Sequence, residues 1–95
     1  MTPREILIAA KALIPDEAHW WRGVGVGEFH GFYCPITAIH AVCKGRKNPL
    51  YGVVLASFRK SIGTVIPVSM WNDDPARTLA EVHAAFDRAI EAASC

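Results

Sequence analysis

The sequence predicts an α+β domain in which about four helices pack around a two-stranded antiparallel sheet, in the order α-β-α-α-β-α. The helices are indicated by capping signals at their starts, followed by apolar residues that recur at three- and four-residue steps. The sheet is indicated by two stretches: residues 24–30 begin by alternating glycine with valine, and residues 64–71 are rich in β-branched side chains. We expect these two stretches to pair with each other.

The first helix begins close to the N-terminus. Thr2 and Glu5 have the spacing of a capping box, and Pro3 suits the first helical position because its missing N–H would be unpaired there anyway. Pro15 and Asp16 end the helix. The face that we expect to be buried carries Ile6, Ala10, Leu13 and Ile14.

The glycine-rich stretch that follows predicts the first strand, near residues 24–30. A phosphate-binding loop is the alternative, but the glycines match neither the dinucleotide fingerprint nor the lysine-containing phosphate loop. Trp20 and Trp21 precede the strand. Because adjacent strand residues face opposite ways, we expect one of the two rings to point inward and the other to cover an edge or line a groove.

Two helices are predicted in the middle of the chain. Cys34 and Pro35 begin the first of them, and Gly45 ends it. Asn48 and Pro49 repeat the signal of a cap followed by a proline and begin the second.

The second of these helices has an alternative. Residues 51–58 also fit a strand, because a glycine and paired valines lower the helix propensity, and the sequence leaves the choice open. Gly63 ends the element in either case. The stretch at residues 64–71 then predicts the second strand, and Pro67 places that strand at an edge or a bulge of the sheet.

The closing stretch predicts a tight turn and a long capped helix. Residues 72–75 combine turn formers with a proline that disfavours a helical conformation in Asp74. Thr78 and Glu81 form a further capping box, which places the helix start near Leu79. The apolar stripe of this helix must be covered by the rest of the domain, and it carries Leu79, Val82, Phe86, Ile90 and Ala93.

Composition bounds the class of protein. The 95 residues, 52% of them apolar, suit a single globular domain over residues 1–95. Ten basic against nine acidic side chains give a net charge of +1, which offers no general attraction to nucleic acid or to an anionic membrane. No stretch approaches the roughly 20 apolar residues of a membrane span. Three cysteines, an odd count, do not suit a disulfide framework, so we expect a cytoplasmic protein. We also predict no cofactor.

Three features of the chain occur together. They are a tryptophan before a glycine-bearing stretch, a cysteine at the start of a short alanine-bearing helix, and a closing Trp-Asn-Asp-x-Pro-x-Arg-Thr-x-x-Glu-Val signature. They correspond to Trp20 or Trp21, to Cys34 with Ala38 and Ile39, and to residues 71–90. In these features the chain resembles a family of small uncharacterised proteins found in phages and actinobacteria. The resemblance implies a small phage-linked accessory domain and carries no assigned activity.

Cys34 is the sharpest catalytic candidate, because the dipole of a helix can hold a thiol at its N-terminus as thiolate. A cysteine hydrolase also needs a histidine, which in papain-type enzymes arrives from a later strand, and residues 64–71 contain none. His40 lies on the same predicted helix as Cys34, and His83 lies on the last helix. We therefore assign no catalytic residue.

His30, Cys34, His40 and Cys43 together supply the donor types of a tetrahedral zinc site. Their spacing matches no common finger or ribbon, and a domain with this apolar content needs no metal in order to fold. We therefore predict no metal site.

Aromatic and basic side chains supply the residue types of a binding surface. Trp, Tyr and Arg dominate protein interfaces, and the same types stack on bases and pair with phosphates. The surface that we expect to make contacts comprises Trp20, Trp21, Arg22, Tyr33, Arg46, Lys47 and Trp71.

We expect a non-enzymatic, phage-type accessory protein that binds a host protein in the cytoplasm of the host cell and inhibits a host defence system. The support is the small size, the missing catalytic partner of Cys34 and the family resemblance. The alternatives are a sponge that binds a nucleotide or cyclic nucleotide through the same aromatic residues, and a thiol hydrolase that uses Cys34. The sequence leaves self-association open.

Overall fold

Helices make up the regular structure in the described part of the chain. The computed structural model describes residues 1–22 and 31–93. The α-helices in these two ranges are α1 (Pro3–Ala12), α2 (Pro35–Cys43), α3 (Pro49–Ile62), α4 (Val68–Asp73) and α5 (Leu79–Ala92). A short 3₁₀ helix, Glu17–His19, lies between α1 and α2. None of these described helices is long and apolar enough to cross a membrane.

The predicted α+β class and its two-stranded sheet are wrong. No strand forms in the part of the chain that the structure describes, where the sheet-like contact is an isolated parallel bridge between Trp20 and Tyr33. Two backbone hydrogen bonds of 2.9 Å make this bridge, from Trp21 N to Tyr33 O and from Tyr33 N to His19 O. The predicted first strand, residues 24–30, lies outside the described residues.

The predicted second strand, residues 64–71, is also wrong, because its second half belongs to α4. Pro67 occupies the N-cap position of this helix with φ −59° and ψ 150°. In a strand Val68 and Trp71 would face opposite sides, whereas the helical spacing buries both of them together with Asn72. The packing of this face outweighs the β propensity of the branched residues.

Residues 51–58 lie in a helix, α3, and the strand alternative for them is wrong. The Asn48 side chain caps this helix by accepting a hydrogen bond of 2.9 Å from the backbone N–H two residues on. Gly63 ends it in the left-handed conformation, with φ 66°. Val54 and Phe58, one turn apart on the same face, are fully buried. Burial of that face offsets the low helix propensity of the glycine and valines in the segment.

The capping boxes predicted at the starts of α1 and α5 are confirmed. In α5 the Glu81 N–H donates to the Thr78 hydroxyl at 3.2 Å, and the Thr78 N–H donates to the Glu81 carboxylate at 2.9 Å. Thr2 and Glu5 make the same exchange in α1. Each box satisfies two backbone groups that the helix itself leaves unpaired.

The apolar face of α5 is covered by α1 and α3. Phe58 of α3 and Phe86 of α5 meet with their ring centroids 4.6 Å apart. Lys11 of α1 and Asp87 of α5 form an ion pair of 2.7 Å at the edge of this contact. Within the described residues, two helices therefore cover the apolar stripe that the sequence predicts to be buried.

The cap of α5 generates a pH-dependence prediction. The hydrogen bond from the Thr78 backbone N–H, helped by the Thr78 hydroxyl and by Arg77, holds the pKa of Glu81 below its ordinary value. A group whose pKa is lowered on folding stabilises the fold above its unfolded-state pKa and loses that contribution as the pH falls through its folded-state pKa. Glu81→Gln should therefore lower the melting temperature at pH 7, and this deficit should shrink from about pH 4.3 downward.

The matched control is Glu91→Gln, which removes an exposed carboxylate from the other end of the same helix. A carboxylate in the last turn opposes the helix dipole, so this variant should melt at the same temperature as the wild type or slightly higher. Thermal denaturation from pH 3 to 7, followed by circular dichroism, measures both effects. A Glu81→Gln deficit that stays constant across this range would contradict the assignment of the cap to the ionised carboxylate.

Candidate functional site

Trp20, which we expected at a binding surface, has an internal hydrogen-bond partner. Its ring is buried, and its Nε1 donates to Oδ1 of Asn72 at 2.7 Å. The Asn72 amide nitrogen in turn donates to the Trp21 carbonyl at 2.9 Å. Asn72 is only 1% exposed, so one buried amide holds both the indole and the backbone next to it. The sequence pattern indicates a turn at Asn72 and gives no sign of this role.

Two arginines stack on two of the tryptophan rings. The Arg22 guanidinium lies 4.6 Å from the centroid of the Trp20 ring, and the Arg77 guanidinium lies 4.2 Å from that of Trp71. Arg22 also donates to the Arg77 carbonyl at 2.9 Å, and Arg77 donates to the Trp71 carbonyl at 2.9 Å. Arg77 completes its contacts with an ion pair of 3.1 Å to Glu81. The Trp, Asn, Arg and Glu of the closing signature therefore hold the fold together.

The remaining aromatic residues of the predicted surface take different places. Trp71 is buried, and its ring packs edge-on against Phe58 at 6.1 Å. Tyr33 is half-buried, and its backbone forms the bridge to Trp20. Trp21 is half-buried with its ring 6.4 Å from that of Phe32, and its buried Nε1 has no hydrogen-bond partner in the described structure.

Two basic residues of the predicted surface, Arg46 and Lys47, lie away from the aromatic ones. Arg46 and Lys47 are exposed in the connection between α2 and α3, whereas Tyr33 precedes α2. The nine residues of α2 separate the two groups by roughly 13 Å of helical rise. The structure thus brings the buried Trp20 and Trp71 rings into one cluster, with Arg22 on its exposed side, and leaves Arg46 and Lys47 apart from it. Their shared role in binding stays a prediction.

Cys34 serves as the N-cap of α2. Its Sγ accepts a hydrogen bond of 3.5 Å from the Thr37 N–H, while the Thr37 hydroxyl accepts one of 3.0 Å from the Cys34 N–H. The other described cysteine, Cys43, is buried, and burial raises the pKa of its thiol. The His40 ring packs edge-on against Tyr51, with the centroids 5.7 Å apart. A capping role for Cys34 explains its position without catalysis.

The other described histidines are held by their own partners. Nδ1 of His19 lies 2.6 Å from the Asp16 carboxylate, whose pKa this contact lowers. Nε2 of His83 lies 2.6 Å from the Ile14 carbonyl, and because a carbonyl only accepts, Nε2 carries the proton. Within residues 1–22 and 31–93, no group of three His, Cys, Asp or Glu side chains converges as a metal site would require. His30, a member of the zinc hypothesis, lies outside the described residues.

The connection between α3 and α4, together with the first turn of α4, exposes several large apolar side chains within six residues. Val65 is 89% exposed, Met70 is 61% exposed, and Ile66 lies between them at 37%. The backbone here is held in place, because the Arg59 guanidinium donates to the Val65 carbonyl at 3.0 Å. We call Val65, Ile66 and Met70 the apolar surface.

A groove lies between the C-terminal halves of α3 and α5. Its α3 residues precede the apolar surface by a few positions in the sequence. Its volume is about 290 Å³. Its lining consists of Ser57, Lys60, Ser61, Arg88, Ala89 and Ala92. Arg88 is held across the groove by a hydrogen bond of 3.0 Å from its Nε to the Ser61 carbonyl. We call this feature the basic groove, since its charged residues are a lysine and an arginine.

The sequence pattern revealed neither of these two features. Residues 64–71 were expected to form a strand, and nothing in the pattern connects Lys60 with α5. The spacing of Ser57, Lys60 and Ser61, at i, i+3 and i+4, was the available signal that they share one helix face. The partner helix for that face was not readable from the pattern, because helix pairing depends on contacts between residues far apart in sequence.

Comparison with known proteins gives one match. A family model covers residues 1–92 of the chain, and its description is a family of unknown function, DUF6197. No curated protein matches the chain, and no solved structure does.

The buried amide of Asn72 generates a stability prediction. Asn72→Ala leaves the Trp20 indole and the Trp21 carbonyl without their partner, and it should lower the free energy of unfolding by about 2 to 4 kcal/mol. A double-mutant cycle with Trp20→Phe should show a coupling energy of about 1 to 2 kcal/mol. Urea denaturation of the four proteins measures both quantities.

Asn48→Ala is the matched control, since it removes an asparagine that caps α3 and touches neither tryptophan. This change should cost about 1 kcal/mol and should be additive with Trp20→Phe. An Asn72 cycle that is as additive as the Asn48 cycle would show that the hydrogen bond between Trp20 and Asn72 contributes nothing of its own.

Proposed function

Because the chain belongs to DUF6197, a family of unknown function, its relatives supply no activity, and we propose from the geometry that it is a non-enzymatic domain that binds another protein through the apolar surface. The observation that carries this proposal is the exposure of Val65 and Ile66 in the connection between α3 and α4 and of Met70 in the first turn of α4. Clustered exposed apolar side chains are typical of protein contact sites, whereas scattered ones are not.

The apolar surface is suited to binding because its backbone is already ordered. Arg59 holds the Val65 carbonyl, and the Ile66 N–H donates to the Thr64 hydroxyl at 3.4 Å. Pro67 restricts the chain further at the start of α4. A partner that covers these side chains gains apolar burial and pays little for ordering the loop.

The charges near the apolar surface define the chemistry of the partner. Arg59 and Lys60, in the last turn of α3, are both exposed and precede the connection directly. A partner that offers an apolar cleft with acidic residues at its rim would match this arrangement. The resemblance drawn from the sequence supports a host protein as that partner and inhibition of a host defence system as the narrower role.

A binding experiment on two variants tests the proposal. Val65→Ser combined with Met70→Ser should weaken the complex at least tenfold, or about 1.4 kcal/mol, because both side chains would lose their burial in the partner. The melting temperature should stay within a few degrees of the wild type, since exposed side chains contribute little to folding. A partner captured from host lysate is purified, and its Kd is then measured by calorimetry.

The control is Ile8→Ser combined with Val53→Ser, which removes two exposed apolar side chains from α1 and α3. These residues lie outside the apolar surface, so the Kd should be unchanged. Equal weakening by the two double variants, or no weakening by the first, would contradict the proposal.

A further inference from the structure

We propose that the basic groove is a binding site for a small phosphorylated compound, whose phosphoryl oxygens are held by Lys60 and Arg88. The site lies outside the apolar surface and shares with the proposed protein contact only Lys60, and the proposal does not depend on the protein-binding function. The groove forms only where α3 and α5 meet, because half of its lining residues come from each helix.

The groove has the room that such a ligand needs. Residues with small side chains occupy most of its walls: Ser57 and Ser61 on α3, Ala89 and Ala92 on α5. The volume of about 290 Å³ corresponds to roughly ten waters at the density of the liquid. A phosphoryl group fills only part of this space, so a small organic body attached to it also fits.

The charged groups of the groove are free to bind an anion. The hydrogen bond from Arg88 Nε to the Ser61 carbonyl fixes the guanidinium and leaves its two outer nitrogens without a partner in the described structure. Lys60 likewise has no hydrogen-bond or ion-pair partner among the described residues. By contrast Lys11 and Arg77 are neutralised by Asp87 and Glu81.

The donor set matches a phosphoryl group better than a carboxylate. A planar guanidinium binds two oxygens of a phosphate at once, and the ammonium group supplies a second cation for a dianion. Ser57 also lines the groove from α3, whereas the Ser61 hydroxyl already donates its proton to the Phe58 carbonyl. A carboxylate has two oxygens and one charge, so it would leave part of this set unused.

The lining also limits what else the ligand contains. No aromatic residue is among the side chains that line the groove, so a nucleobase would have no ring to stack on. The groove lies near the C-terminal ends of α3 and α5, where the helix dipoles are negative. Anion binding therefore depends on Lys60 and Arg88, and removal of either cation should weaken it strongly.

Titration by two-dimensional ¹H–¹⁵N NMR tests the site, with inorganic phosphate and ribose 5-phosphate as probes at pH 7.5 and constant ionic strength in chloride. Saturable shifts are expected in the amides of residues 57–61 and 88–92 and in the Arg88 side chain, with a Kd in the millimolar range or below. Sodium acetate at the same concentrations should bind at least tenfold more weakly. Acetate binding as tight as phosphate binding would overturn the phosphoryl assignment.

Variants then separate the site from a general effect of charge. Lys60→Gln removes an exposed side chain with no described partner, so it should leave the melting temperature unchanged and weaken phosphate binding at least threefold. Lys60→Gln with Arg88→Gln should abolish saturation. Arg4→Gln with Lys44→Gln makes the same change of charge at two exposed positions outside the groove and should leave the Kd as it is. Shifts that never saturate, or that survive in the Lys60 and Arg88 double variant, would overturn the proposal.

Discussion

The buried hydrogen bond between the Trp20 indole and the Asn72 amide is the constraint on which the described fold depends. It joins two residues that are 52 positions apart in the sequence. The same amide holds the Trp21 carbonyl, and the arginines that stack on Trp20 and Trp71 close the cluster from outside. A buried amide with both its acceptor and its donor engaged is costly to disturb, because each group loses its partner without regaining water. This cluster fixes α4 in place, and α4 in turn sets where the apolar surface is exposed.

The sequence predicted those parts of the structure that depend on neighbouring residues. The caps at Thr2, Asn48 and Thr78 use partners two or three positions away, so their spacing was enough to place three helix starts. The strand prediction for residues 64–71 was wrong because the structure there depends on residues far away in the sequence. Their local preference is for a strand, and the contacts that make the second half helical come from Phe58 and Trp20, which no local pattern reveals.

The candidate sites followed the same division. Residue types that are common at interfaces predicted a surface around Trp20 and Trp71, yet the fold uses both rings internally, with Asn72 and the arginines as their partners. Whether a side chain can bind a partner depends on its exposure, and its exposure depends on how the helices pack together. The sequence pattern indicates a strand at Val65 and Met70. In the structure α4 buries Val68 and Trp71, and Val65 and Met70 are left exposed in the apolar surface. Arg88 gained its place beside Lys60 only through the packing of α5 on α3.

Hydrogen exchange at the indole nitrogen of Trp20 tests the central claim most directly. If the bond to Asn72 holds the fold, this N–H opens only when the whole domain unfolds, so its free energy of exchange should equal the free energy of unfolding measured with urea. It should then exchange together with core amides such as those of Val54 and Phe86. Exchange of the Trp20 indole at the rate of an exposed side chain, while those amides stay protected, would show that the cluster opens locally and does not hold the fold.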